Sequence, residues 1–111
     1  MTFHRTLAAS AAALAAFLLA AVVAHAHDGV HDEWMNGLKS PVTGISCCDI
    51  TDCFVTRARI TKDGWEAQNQ LGQWVAVPEE IIIRDKGNPT GLPVLCFNYG
   101  RPLCYVPPPM G

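Results

Sequence analysis

Seventeen consecutive apolar or small residues, Leu7 to Val23, follow a polar start that holds one fixed positive charge, Arg5. Beyond them the pattern changes to short runs broken by Gly, Pro and Asn. Cys53 to Thr61 alternates, with Phe54, Thr56, Ala58 and Ile60 on one side and Val55, Arg57, Arg59 and Thr61 on the other, which predicts a half-buried strand. Lys62-Asp63-Gly64 predicts a tight turn, with Gly64 at positive φ. Trp65 to Gln68 and Trp74 to Val77 read as two further strands around a turn at Asn69–Gln73, and Pro78 stops the second. Ile81-Ile82-Ile83 is a β-branched run whose composition favours a strand. Val94 to Asn98 and Leu103 to Val106 predict a final pair across Tyr99-Gly100-Arg101-Pro102. Before all of these, Asp32 to Leu38 reads as a short helix capped by Asp32 and ended by Pro41, with Trp34 and Leu38 on one face. The expected fold is mainly β: a small antiparallel meander or SH3-like open barrel with a short N-terminal helix.

The N-terminal pattern has the three parts of a secretory signal: a basic start, an apolar middle and a small-residue exit, Ala24-His25-Ala26. An uncleaved anchor is the competing reading, but seventeen Ala-rich residues are short for a span. The expected organisation is a signal peptide over 1–26 and one small domain over 27–111, in the periplasm or outside the cell. Export would remove Arg5 and leave seven basic against ten acidic residues, a net charge of −3. That balance gives no basic footprint for nucleic acid. With the signal removed, no stable membrane insertion is expected.

Five cysteines, Cys47, Cys48, Cys53, Cys96 and Cys104, all fall in the mature part. In an exported domain too small for a large core they read as disulfides. Spacing leaves the pairing open. One of Cys47 and Cys48 can bond Cys53 or reach the C-terminal pair, and Cys96 and Cys104 can bond each other or staple the ends of the domain. An odd count allows a monomer or a disulfide-linked dimer. Thiol-redox catalysis is disfavoured, because Cys-x-x-Cys is absent. Structural zinc is disfavoured too, because Cys96 and Cys104 lack knuckle spacing.

The residues Trp34, Leu38 and Pro41, the block Ser46-Cys47-Cys48 with Asp52-Cys53, the run Gly72-x-Trp74-x-x-Val77-Pro78, and Cys96 and Cys104 before Pro107 resemble a family of small exported bacterial proteins of unknown function. The resemblance covers most of the mature chain. It implies export and a shared cysteine framework, and brings no catalytic residues.

Two further patterns have chemical content. Cleavage after Ala26 would leave His27 at the terminus, where its amine and ring can chelate copper with His31 adding a nitrogen; cleavage after Ala24 would give a His25-Ala26-His27 cage suited to Cu(II). The plainer reading is a solvated leader. Trp65 and Trp74 flank one turn and would form a stacking platform if exposed together, although Trp on small β-strands is more often core. No serine–histidine–acid set or phosphate loop is present. The expectation is a non-enzymatic binding or structural domain whose partner is a protein or a small ligand, with no cofactor; a copper-binding protein using its N-terminal histidines is the alternative.

Overall fold

A computed structural model describes residues 30–48 and 52–109. The expected signal peptide, His25 and His27 lie outside the described residues. The chain forms a short helix α1 (Asp32–Asn36), strands β1 (Cys53–Val55), β2 (Ala58–Thr61), β3 (Gly64–Gln68) and β4 (Trp74–Ala76), a 3₁₀ turn (Glu79–Ile81), and strands β5 (Val94–Asn98) and β6 (Arg101–Val106). The strands build two antiparallel three-stranded sheets, β1-β5-β6 and β2-β3-β4. The fold is mainly β as expected, with the second sheet a meander, and the sheets do not close into a barrel.

The alternating run from Cys53 to Thr61 is not one strand. It divides at Thr56–Arg57, and its halves belong to different sheets. The Thr56 N–H donates to the Pro93 carbonyl at 3.0 Å, ending the β1–β5 ladder, while the Gln68 N–H donates to the Arg57 carbonyl at 2.9 Å, beginning the next. The Thr56 hydroxyl donates to the Gln68 carbonyl at 2.7 Å and ties the corner together. Alternation survives the corner, because Phe54 and Ala58 both enter the cluster between the sheets. Strands that switch sheets at a bend are how packed sheets make corners.

Sheet β1-β5-β6 is buried on both faces. Cys53, Val94, Cys96, Cys104 and Val106 point one way, into a cluster with Met35 and Leu38 of the N-terminal arm. Phe54, Leu95 and Tyr105 point the other way, against Ala67, Val77, Ile81 and Ile82. The five-residue helix α1 is too short to persist alone. Burial of Met35 and Leu38 (0% and 1% exposed) holds it, and the Trp34 indole N–H donates to the Lys86 carbonyl at 3.3 Å.

The isoleucine run corrects the expected strand. Pro78 leads into the 3₁₀ turn, and only Ile82 makes a bridge, parallel to Tyr105. The Ile83 N–H donates to the Tyr105 carbonyl at 2.8 Å. The run crosses the edge of the sheet, so Ile81 and Ile82 fill one face and Ile83 the other. Three consecutive buried side chains are explained by an edge crossing, not by a central strand. The last hairpin is tighter than expected: β6 begins at Arg101, and only Tyr99-Gly100 turn between Asn98 and Arg101.

Two disulfides join Cys47 to Cys104 and Cys53 to Cys96. Cys96 and Cys104 are register partners across β5 and β6, yet each bonds a third element. The bonds Thr56 N–H to Pro93 and Phe97 N–H to Asp52 aim alternate β5 backbone groups at β1. Cys96 therefore turns its backbone to β6 and faces Cys53 in a non-hydrogen-bonded pair, the kind with the closer Cα approach; the Cα atoms are 3.9 Å apart. Cys104 is left for Cys47, which anchors the arm. Cys48 is buried in the same cluster, outside these two bridges. Gaps of 57 and 43 residues put each bridge at about 4 kcal/mol in the loop-entropy picture. Among the described residues no helix is long and apolar enough to cross a membrane, and the disulfides fit an oxidising compartment.

Candidate binding groove

The N-terminal arm, the 3₁₀ turn and the start of β6 enclose an open groove of about 640 Å³, a volume within the usual range for ligand sites. One wall is the loop after α1. Its ends meet in a bridge between Lys39 and Ser46, and the Ser40 N–H donates to the Ile45 carbonyl at 2.8 Å. The Ser40 hydroxyl accepts from the Val42 and Thr43 N–H groups at 3.2 and 3.3 Å. With its polar groups satisfied inward, the loop holds Val42 and Ile45 outward, 61% and 69% exposed. The Cys47–Cys104 bridge pins this wall to β6.

Pro78, Glu80 and Ile81 around the 3₁₀ turn, and Tyr99, Arg101, Pro102 and Leu103 of the last hairpin, complete the lining. Asp52 also lines the groove, but its carboxylate accepts from the Asn98 amide at 3.0 Å. Glu79 is taken by Arg84 at 2.8 Å. Among the described residues neither Glu80 nor Arg101 has an ion-pair partner. The groove thus offers apolar side chains, one exposed charge of each sign in Glu80 and Arg101, and a second, buried carboxylate in Asp52. Pro102 has no N–H to offer, so strand addition at this position lacks a donor.

A second hollow of about 260 Å³ lies between Ile83, Arg84, Gly87 and Asn88 and the segment Val106–Pro109. Part of its wall is the proline tail, which the Asn88 amide fixes by donating to the Pro107 carbonyl at 2.8 Å. It is smaller and shows no comparable rim.

Trp65 and Trp74 are not brought together. Register places Trp65 beside Ile60 and Trp74 beside Gln68, so the two rings lie on opposite faces of the second sheet. Trp65 packs inward on Tyr105, ring centroids 5.4 Å apart. Trp74 lies outward under the Arg59 guanidinium, 3.9 Å from its centroid, and Glu66 accepts from that guanidinium at 2.8 Å. His31 sits at the N-cap position of α1, and no group of three or more metal-ligating side chains occurs among the described residues.

Tyr105 is fully buried, and its hydroxyl has no hydrogen-bond partner among the described residues. Burial pushes its phenol well above the ordinary tyrosine value.

The groove residues Val42, Ile45, Tyr99 and Arg101 escape a reading for motifs. Two local signals do point to the first three. Val42 and Ile45 are β-branched residues in a Pro/Gly loop with no element to bury them. Tyr99-Gly100 occupies a two-residue hairpin turn where Asn-Gly is the favoured pair. Comparison with protein-family models, curated proteins and solved structures found no match, so the site is defined by its geometry.

Proposed function

We propose that this protein is an exported, disulfide-held, non-enzymatic binding domain that receives a segment of a partner protein in the groove between the N-terminal arm and β6. The observation that carries the reading is the set of apolar side chains that the groove's lining keeps in solvent. Val42 and Ile45 of the arm and Tyr99 of the last hairpin are 61–81% exposed, while the backbone around them is hydrogen-bonded and pinned by a disulfide. Contiguous exposed apolar surface beside a preformed groove is the usual mark of a contact site. A protein segment fits better than a compact molecule, because the groove is open and its Glu80 and Arg101 complement a ligand with apolar side chains between opposite charges. Export is supported by the leader pattern and by the bridges.

The test is selection of random twelve-residue peptides on phage against the oxidised domain. Enriched peptides are expected to lose at least tenfold in affinity for the Val42→Asp/Ile45→Asp variant. The Ile60→Asp/Leu71→Asp variant, altered at exposed positions outside the groove, should bind them as the parent does. Failure to enrich any peptide, or equal binding by the groove variant, would overturn the proposal. The intact mass of protein exported with its own leader should correspond to a chain beginning near His27.

A further inference from the structure

We infer that Tyr99 is the anchor by which the groove selects its partner, and that the selected segment carries a carboxylate set against Arg101. This rests on the groove being a binding site. Tyr99 is the one non-glycine residue with positive φ among the described residues, at 55°, followed by Gly100 at 71°. These values are those of a type I′ turn, whose first position favours Asn, Asp or Gly and strains an aromatic residue. Such strain persists where surrounding structure over-determines it, and here it does. The Tyr99 N–H donates to the Asn98 side-chain oxygen at 2.8 Å. The Asn98 amide is held by Asp52 at 3.0 Å, and the Gln70 amide donates to the Phe97 carbonyl at 2.9 Å.

The fold gains no burial from the ring in return, because Tyr99 is 81% exposed. A locked, strained turn holding a solvent-facing aromatic beside a groove is pre-organised for contact. Tyrosine has few rotatable bonds to immobilise and, with arginine, is among the residues that dominate interface energies. Arg101 lies two residues further along the same hairpin, at the groove and without an ion-pair partner among the described residues. Its planar fork matches a carboxylate.

Synthetic versions of the selected peptides, acetylated and amidated to remove terminal charges, discriminate the outcomes. Tyr99→Asn relieves the positive φ and is expected to raise Tm by a few degrees while weakening peptide binding at least tenfold. Arg101→Glu is expected to weaken binding of peptides with an Asp or Glu and to spare versions with that residue amidated. Binding by Tyr99→Asn within twofold of the parent would overturn the anchor role while leaving the groove as a site. A lower Tm for Tyr99→Asn would refute the strain argument. Peptides that bind equally well to Arg101→Glu would remove the carboxylate. If no peptide binds the parent domain, the groove reading falls and this inference with it.

Discussion

Replacing Tyr105 with Phe is expected to stabilise the domain, against the usual direction for a core substitution. The side chain is fully buried between the sheets, and its hydroxyl is the one buried side-chain polar atom without a partner among the described residues. An unsatisfied buried hydroxyl costs about 1–3 kcal/mol in lost hydration. Removing the oxygen forfeits a handful of dispersion contacts at about 0.1–0.2 kcal/mol each. The ring, and its packing on Trp65 at 5.4 Å, is retained. The balance favours Phe by about 1 kcal/mol, roughly 4–8 °C in Tm for a domain of this size. Urea unfolding and calorimetry near pH 7 measure it.

A pH arm tests the cause. The folded phenol is raised by burial, so the unfolded chain releases this proton first, near pH 10. Stability from this group is complete below pH 10 and is lost as pH climbs above it, by about 1 kcal/mol at pH 11. Tyr105→Phe lacks that loss, so its advantage over the parent should widen between pH 9 and 11. A variant less stable than the parent at pH 7, or a stability difference flat with pH, would show that the hydroxyl has a partner or is hydrated in the folded state.

Other expectations follow from the bridges and the loop before β5. Peptide mapping of the oxidised protein should give Cys47–Cys104 and Cys53–Cys96, and a Cys96–Cys104 peptide would refute the pairing. Removing Cys47–Cys104 through a double Ala variant should cost about 2–4 kcal/mol and abolish peptide binding in the groove, because it frees one wall; urea unfolding and titration together check this. Asn88→Ala should cost about 1–3 kcal/mol, since its amide donates to the Leu92 and Pro107 carbonyls at 2.8 Å and its oxygen accepts from Thr90 at 2.6 and 3.1 Å. Unchanged unfolding of that variant would mean that these bonds form equally well with water.

What the sequence determined by itself is what depends on neighbours along the chain. The short strands, the turn at Gly64 (φ 115°) and the turn containing Gly72 (φ 76°), the stop at Pro78 and a mainly β fold all follow from period-two alternation and from residues that permit or forbid local dihedrals. Tertiary structure decided whatever depends on distant partners. The run from Cys53 to Thr61 looks continuous because alternation is a property of faces, and the corner at Thr56 preserves the faces while changing the sheet. The isoleucine run reads as a strand because burial alone does not distinguish an edge crossing from a ladder. Cys53 meets Cys96 and Cys47 meets Cys104 because strand register sets which Cα atoms approach, and register is invisible to spacing. The groove joins residues from 40 to 104, brought together by one disulfide and one backbone bridge, so no contiguous stretch of chain announces it.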